Sequence, residues 1–142
     1  MEVNKQSKLT FHGVDIINVN FNAIAPREQE INVLINCVPK VFYPVDHKKF
    51  FKIIMDIELK DERYFELDLR AVGTFELELE IDSELKKTFV NSNAPAIMFP
   101  YIRSFISTLT ANLGNVVGAL VIPTQFFKGE LEEIKEENSK KL

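Results

Sequence analysis

The residues most able to carry chemistry are few and scattered in this chain. The two histidines, His12 and His47, have no cysteine or carboxylate at the spacing that a metal site requires. The single cysteine, Cys37, lies in a strand-like pattern with no histidine or basic neighbour to lower its pKa, which favours a buried thiol over a nucleophile. The five glycines are dispersed and form no phosphate-binding loop. We therefore predict neither an enzyme nor a cofactor or metal site.

Length and charge narrow the class of protein further. A chain of 142 residues is expected to form one domain over residues 1–142, with a core of about 9–128 and flexible ends at 1–8 and 129–142. The net charge of -4 argues against nucleic-acid binding, which needs clustered lysine and arginine. The lone cysteine, and an amino-terminal stretch without the apolar run of a signal peptide, predict a cytoplasmic location without membrane insertion.

Alternating apolar residues predict four strands before any helix. The first covers residues 14–23, where the adjacent pair Ile16 and Ile17 changes the phase of the alternation and indicates a bulge. The second covers residues 30–38 and should end by Pro39, which cannot donate to a ladder.

The third and fourth strands are predicted as a hairpin. Residues 51–59 and 65–71 alternate on either side of the polar turn 60–62. Gly73 then interrupts the apolar run, which indicates a bulge, a bend or the close approach of another backbone.

Helical spacing begins after the strands. Asp82 or Ser83 can cap a short helix beginning at Glu84, and Asn93 can cap a longer one, with Gly114 suited to be its C-terminal cap. Pro100 should kink or restart the longer helix. Its buried stripe is predicted to comprise Met98, Ile102, Phe105, Leu109 and Leu113.

The order of these elements predicts the fold class. Four strands followed by helices indicate an α+β fold, with a four-stranded antiparallel sheet and a long helix packed on one face. Phe126 and Phe127 are expected to open a last helix, and the polar tail from Glu130 is expected to fray. Apolar residues on both faces of the first two strands predict a second surface, buried in an oligomer or offered to ligands.

The stretch over residues 93–127 resembles the carboxyl-terminal half of the SecB export chaperones. It contains Phe99-Pro100-Tyr101 with Arg103 two residues later, and a hydrophobic-Pro-x-x-Phe pattern over residues 122–126. The segments 19–23 and 72–75 are similar to the ends of two strands of that family. The likeness covers about residues 11–127.

This resemblance implies an ATP-independent holdase without a cofactor. Members of the family assemble as homotetramers, built as dimers of dimers, hold unfolded preproteins in hydrophobic grooves and deliver them to the SecA translocase motor. Extended clients held by many apolar contacts suit a promiscuous site. For Phe105, packing in the core or between subunits is favoured over client binding. The groove candidates are Phe42, Tyr43, Phe99, Tyr101, Phe105 and Phe126.

Departures from the family pattern open an alternative. The motor-docking face of the family uses acidic residues, whereas two of those places hold the neutral Asn18 and Asn22 and a third holds Asp68. The connection over residues 24–30 is shorter than the crossover that walls the family's groove. SecB-like chaperones also serve toxin-antitoxin pairs, where the client is an antitoxin, and the missing acids favour that role. A small-ligand-binding protein and a purely structural oligomer are the remaining hypotheses.

Overall fold

The computed structural model describes residues 8–123 and 130–134, which form a mainly antiparallel sheet with helices on one face. The helices are α1 (Ser83–Thr88) and α2 (Ala94–Ala111), with a π-helical turn at Phe89–Asn93 between them. The predicted α+β class is thus confirmed, with one long helix. The strands are β1 (Thr10–Ala23), β2 (Leu34–Phe42), β3 (Phe50–Asp61), β4 (Phe65–Glu76) and β5 (Glu132–Glu133).

Within the described residues, the sheet has five strands rather than the predicted four, in the order β1-β4-β3-β2-β5. The predicted hairpin of β3 and β4 is confirmed, with regular pairing from Phe50 opposite Glu76 to Asp61 opposite Phe65. The fifth strand comes from the tail that was expected to fray. It pairs in parallel with Lys40 and Val41 of β2, because even a polar segment can satisfy the open backbone groups of an edge strand.

The predicted bulge in β1 is confirmed. Ile16 lies opposite Ala71, and the next paired residue is Asn18, opposite Arg70, so Ile17 is the extra residue. The insertion shifts the alternation by one. Val19 therefore joins Ile16 on the face of the sheet that the helices cover.

The prediction that the second strand ends by Pro39 was wrong, because β2 continues to Phe42. The carbonyl of Val41 accepts from Ile134 of the tail, so the backbone of Val41 faces the outer edge of β2. Backbone groups alternate along a strand, and Pro39, two residues away, faces the same edge. Its missing N–H therefore removes no bond to β3.

The core lies between the inner face of the sheet and α2. Phe51, Met55, Leu67, Phe75 and similar inner-face residues are fully buried with Met98 and Ile102 of α2. Gly73 lies directly under the helix, where an added Cβ would come within 2.9 Å of Met98 Sδ. The pairing of β3 with β4 is regular through Gly73, so β4 has no bulge toward β3 there. The atoms that approach Gly73 belong to the side chains of Met98 and Phe75 and not, as had been predicted, to another backbone.

The predicted cap at Asp82 is confirmed, whereas the one at Asn93 was wrong. The Asp82 carboxylate accepts from the backbone N–H of Leu85 at 3.2 Å. Asn93 has helical dihedrals and no capping bond, since the π-helical turn carries the chain from α1 into α2 without a break. The turn immediately precedes Pro95, whose ring would clash with the carbonyl four residues earlier in a regular α-helix.

The course and buried face of α2 differ in part from prediction. The helix continues through Pro100, so it does not restart there. Met98 and Ile102 are buried as predicted, but Ile106 and Thr110 complete the buried stripe, while Phe105 and Leu109 are only half-buried. The buried stripe is thus shifted by one position from the purely apolar one. Thr110 can be buried in it because its hydroxyl donates to the carbonyl of Ile106 at 2.7 Å.

Helix α2 ends at Ala111 with Asn112 as its C-cap residue, so the predicted cap at Gly114 was wrong. Gly114 follows two residues later with a left-handed φ of 82°. No helix among the described residues is both long and apolar enough to cross a membrane. The predicted last helix at Phe126 lies outside the described residues.

Candidate functional site

Aromatic rings cross one end of the sheet in a continuous series, which we call the ring row. It runs Tyr101, Phe11, Phe75, Phe51, Tyr43, with successive ring centroids 5.3, 5.2, 5.3 and 6.3 Å apart. The inner members Phe75 and Phe51 are buried. The two ends reach the surface, so the row connects two separate apolar patches through the core.

One patch lies where α2 meets β1, and we call it the Tyr101 surface: Ile97, Tyr101 and Phe105 of α2 with Phe11 of β1. Tyr101 is 57% exposed although it contacts the ring of Phe11. Spacing of four residues puts the three helical side chains on one side of α2. No described strand pairs with the outer side of β1, so this surface adjoins an open sheet edge.

The opposite end of the ring row lies beside the carboxyl-terminal segment. Tyr43 is half-buried, and the Lys86 ammonium of α1 lies 4.8 Å from its ring centroid. Burial, and secondarily the negative charge of Glu133 in β5, raise the pKa of the Tyr43 hydroxyl. Phe42 is also half-buried, and Val45 beyond it is exposed.

The remaining predicted groove residues are not placed together with these. Phe99 is only 2% exposed and packs in the core, on a different side of α2 from Tyr101. Phe126 lies outside the described residues. The structure therefore brings Tyr101 and Phe105 together on one patch and places Tyr43 on the other. Phe42 lies opposite Lys52 in the register, on the outer face of the sheet, so it is not brought together with Tyr43.

Sequence reasoning missed Phe11 and Ile97 as members of the Tyr101 surface. The signal for Ile97 was present, since it precedes Tyr101 and Phe105 at intervals of four residues. Phe11 gave no such signal, because its contact with Tyr101 joins two residues 90 positions apart in the chain.

Arg103, from the motif behind the family resemblance, organises the backbone rather than the surface. Its guanidinium donates to the carbonyl of Ile122 at 2.9 Å. Ser107 donates to the carbonyl of Leu120 at 2.6 Å, and Thr110 accepts from the Leu120 N–H at 2.9 Å. These side chains hold an extended segment along α2, so the two halves of the motif contact each other directly.

The outer face of the sheet carries the predicted docking residues. Asn18 and Asp68 line an open depression of about 500 Å³, together with the ion pair of Asp56 and Arg70. Asn22 lies on the same face, opposite Glu66 in the register, and does not line the depression. Exposed Ile17 and Val38 contribute apolar surface to it, so this face is mixed rather than uniformly polar.

The short connection between β1 and β2 is fixed by the tip of the β3–β4 hairpin. Asp61 is 3% exposed and accepts from the backbone N–H of Asn32 at 2.8 Å and from the Arg63 guanidinium at 2.9 Å. The Arg63 side chain and the Asn32 N–H hold the pKa of Asp61 well below its usual range. Arg63 also donates to the Glu30 carbonyl at 3.1 Å, so a buried carboxylate anchors this connection.

Cys37 carries the titratable group that is chemically best suited to act as a nucleophile. Burial, and secondarily the Asp56 carboxylate, raise its pKa to about 12, so the thiol is protonated at neutral pH. Within residues 8–123 and 130–134, no group of three or more histidine, cysteine, aspartate or glutamate residues is arranged to hold a metal ion.

Comparison with known proteins gives a family match over most of the sheet and α2. The family described as preprotein translocase subunit SecB matches residues 23–122. An uncharacterized protein of Methanocaldococcus jannaschii is 27% identical over 150 residues, covering 99% of this chain and 96% of its own. The protein-export protein SecB of Rickettsia akari is 31% identical over 74 residues, a match that spans 49% of this chain and 48% of that protein.

A solved structure shares the fold. It is the Mycobacterium tuberculosis Rv1957 SecB-like chaperone, in complex with a ChAD peptide from the Rv1956 HigA1 antitoxin. The TM-score is 0.66 at 14% sequence identity, and the superposition covers 83% of this chain and 88% of that one.

Proposed function

This chain belongs to the SecB family, and from that membership we propose that it is an ATP-independent holdase that binds unfolded polypeptides on exposed apolar surfaces. The observation that carries the proposal is the Tyr101 surface. An aromatic ring that is 57% exposed, flanked by Ile97 and Phe105, offers contact area to an extended chain without any demand on its sequence. Tyr101 and Phe105 are therefore proposed client contacts.

The second patch extends the proposed binding surface. Tyr43 lies at the other end of the ring row, and a client that spans both patches would gain from two linked sites. Phe42, on the outer face of the sheet beside it, is also a proposed client contact. Phe99 and Phe126 complete the proposed set, Phe99 as a buried support behind the helix. The physical basis is many small apolar contacts rather than one enclosed pocket.

The proposed function is tested by dilution of a chemically unfolded protein into buffer with and without this chain. Wild type should suppress light scattering from client aggregation with no nucleotide present. Tyr101→Ser should weaken client binding about three- to tenfold, by fluorescence anisotropy, because it removes an exposed ring. Its thermal unfolding should change little, since the site is on the surface.

The matched control is Ser104→Ala, an exposed substitution one turn away on α2. It should leave both binding and aggregation unchanged. A wild-type protein that leaves the client free to aggregate would refute the holdase proposal.

The cellular setting follows from the same family membership. We propose a cytoplasmic homotetramer, a dimer of dimers, in which each single-domain chain contributes its patches to longer grooves. Its clients would be preproteins destined for export through the SecA motor. Sedimentation velocity or native mass spectrometry would check the assembly, and a stable monomer would contradict it.

The neutral Asn18 and Asn22 favour a second candidate, a chaperone dedicated to an antitoxin. With Asp68, they lie on the outer face where motor docking is proposed, and two of the three carry no charge to attract a basic partner. The fold neighbour described above was solved with an antitoxin peptide. Absence of equilibrium binding to SecA, together with one co-purifying client, would favour this candidate over export.

A further inference from the structure

The outer edge of β2 has a partial occupant in this chain itself. Beyond β2, the only described strand is β5, which pairs with Lys40 and Val41 alone. The N–H of Ile134 donates to the Val41 carbonyl at 2.8 Å, and the N–H of Leu131 donates to the Asn91 side chain at 2.7 Å. The rest of the edge, from Leu34 to Pro39, has no strand beside it within the described residues.

The occupant is held by few interactions. It is two residues long, and the side chains of Glu132 and Glu133 are exposed. Leu131 is half-buried and packs against the core, which accounts for most of its apolar contact. A two-residue strand makes few of the hydrogen bonds that the edge offers. A longer strand could pair also with the open part from Leu34 to Pro39, and this larger number of bonds favours it in competition with β5.

The outer edge of β2 also presents unpaired backbone groups and exposed apolar side chains that an extended polypeptide can bind. Unpaired backbone groups of an edge strand bind any sequence through main-chain hydrogen bonds. Leu34 and Val38 are exposed along the open part, and Tyr43 lies at the end that β5 occupies. The tail lies beside the end of β2 that precedes this ring, since Ile134 donates to the carbonyl of Val41, two residues before Tyr43.

We propose that the outer edge of β2 is a binding site for an extended segment of an unfolded polypeptide, which adds to the sheet as a strand and displaces β5. The segment over residues 131–134 then acts as an internal competitor that covers the edge until a client arrives. This inference rests on the proposed holdase function and specifies how part of the client is held: by its backbone at β2, in the parallel direction that β5 takes.

A reversible covalent lock tests this proposal. Lys40 and Glu132 are partners in the register, so Lys40→Cys with Glu132→Cys, in a Cys37→Ser background, should form a disulfide that fixes β5 to β2. Disulfide formation is followed by thiol titration and mass spectrometry. The probe is a fluorescent, cysteine-free polypeptide that is unfolded in buffer, and its affinity is measured by anisotropy before and after reduction.

The oxidised form should bind the probe about tenfold more weakly than the reduced form, because the client can no longer displace the tail. The matched control is a disulfide between Lys60→Cys and Glu66→Cys in the same background, a register pair of β3 and β4 away from the tail. It should leave probe affinity unchanged on oxidation and reduction.

Hydrogen exchange supplies an independent measurement on the unmodified protein. The amide of Ile134 should exchange faster when client is bound, since its bond to Val41 is lost. Equal affinity of the locked and reduced forms, or undiminished protection of Ile134 at saturating client, would overturn the edge proposal and leave the holdase function standing. Failure of every form to bind the probe would overturn both.

Discussion

The two faces of the sheet contrast sharply although they share the same strands. On the inner face, Phe51, Leu67 and Phe75 are almost completely buried beneath α2. On the outer face, Asp56, Asp68 and Arg70 are only partly covered, with exposed Ile17 and Val38 among them. The inner face determines stability because its contacts exclude water, whereas the outer face is free to serve recognition.

The contrast is not absolute. Ile54 and Val72 lie opposite each other on the outer face and are nevertheless buried. Asp61, at the end of β3, carries a charge on the inner side. Substitutions on each face can therefore establish how far burial, rather than the face itself, sets the energetic cost.

The largest effect is expected for Phe75→Ala at the centre of the ring row. This fully buried ring contacts Phe11 and Phe51, and its removal should lower the free energy of unfolding by about 3–5 kcal/mol. Urea denaturation measures the change. Thr74→Ala, the adjacent outer-face position, should cost less than about 0.5 kcal/mol; equal losses at the two positions would contradict the distinction between the faces.

Gly73→Val is expected to cost about 1–3 kcal/mol, because the new side chain enters the space of Met98. The test of this cause is a double-mutant cycle with Met98→Ala, which vacates that space. The cost of Gly73→Val should fall in the Met98→Ala background. Strict additivity of the two substitutions would show that the close approach is not what restricts Gly73.

The pH dependence of stability tests the contribution of the Asp61 carboxylate on the inner side of the sheet. Because the folded pKa of Asp61 is lowered, its contribution is complete above the unfolded pKa of about 4 and is lost as the pH falls toward the folded value. Asp61→Asn should be less stable than wild type at pH 7, and the difference should shrink below about pH 4. Glu62→Gln, an exposed neighbour, is the control; a difference that does not change with pH would exclude the charge as its source.

The smallest effect is expected for the outer-face pair of Asp56 and Arg70. Their two hydrogen bonds, 2.7 and 2.8 Å long, are geometrically good, but both side chains are partly exposed and screened by solvent. A cycle of Asp56→Asn and Arg70→Gln should give a coupling energy of about 0.5–1 kcal/mol. A coupling of several kcal/mol would mean that this face is as dry as the inner one.

The strands and the bulge were predictable because alternation reports directly which side of a strand is buried. Ile16 and Val19 could not lie on the same face of the strand without an extra residue between them, and the structure has Ile17 as that residue. The end of β2 was not predictable from Pro39 alone. A proline is excluded only where its N–H would be needed, and which edge it faces depends on the neighbouring strand.

The candidate site was predictable in part. Tyr101 and Tyr43 were both predicted as groove residues from the sequence. Their connection through Phe11, Phe75 and Phe51 was not predictable, because it depends on contacts between distant parts of the chain. Phe99 was predicted as a groove residue but is buried. It lies two residues from Tyr101, and only the rotation of α2 against the sheet directs it into the core.

The sequence by itself determined the fold class, the hairpin, the β1 bulge and the family, because local periodicity and a short motif carry that information. Tertiary structure alone decided which side of α2 is buried, how the ring row crosses the sheet, and that the polar tail pairs with β2. Each of these depends on long-range packing or on unpaired backbone groups of an edge strand, and neither leaves a periodic pattern in the chain.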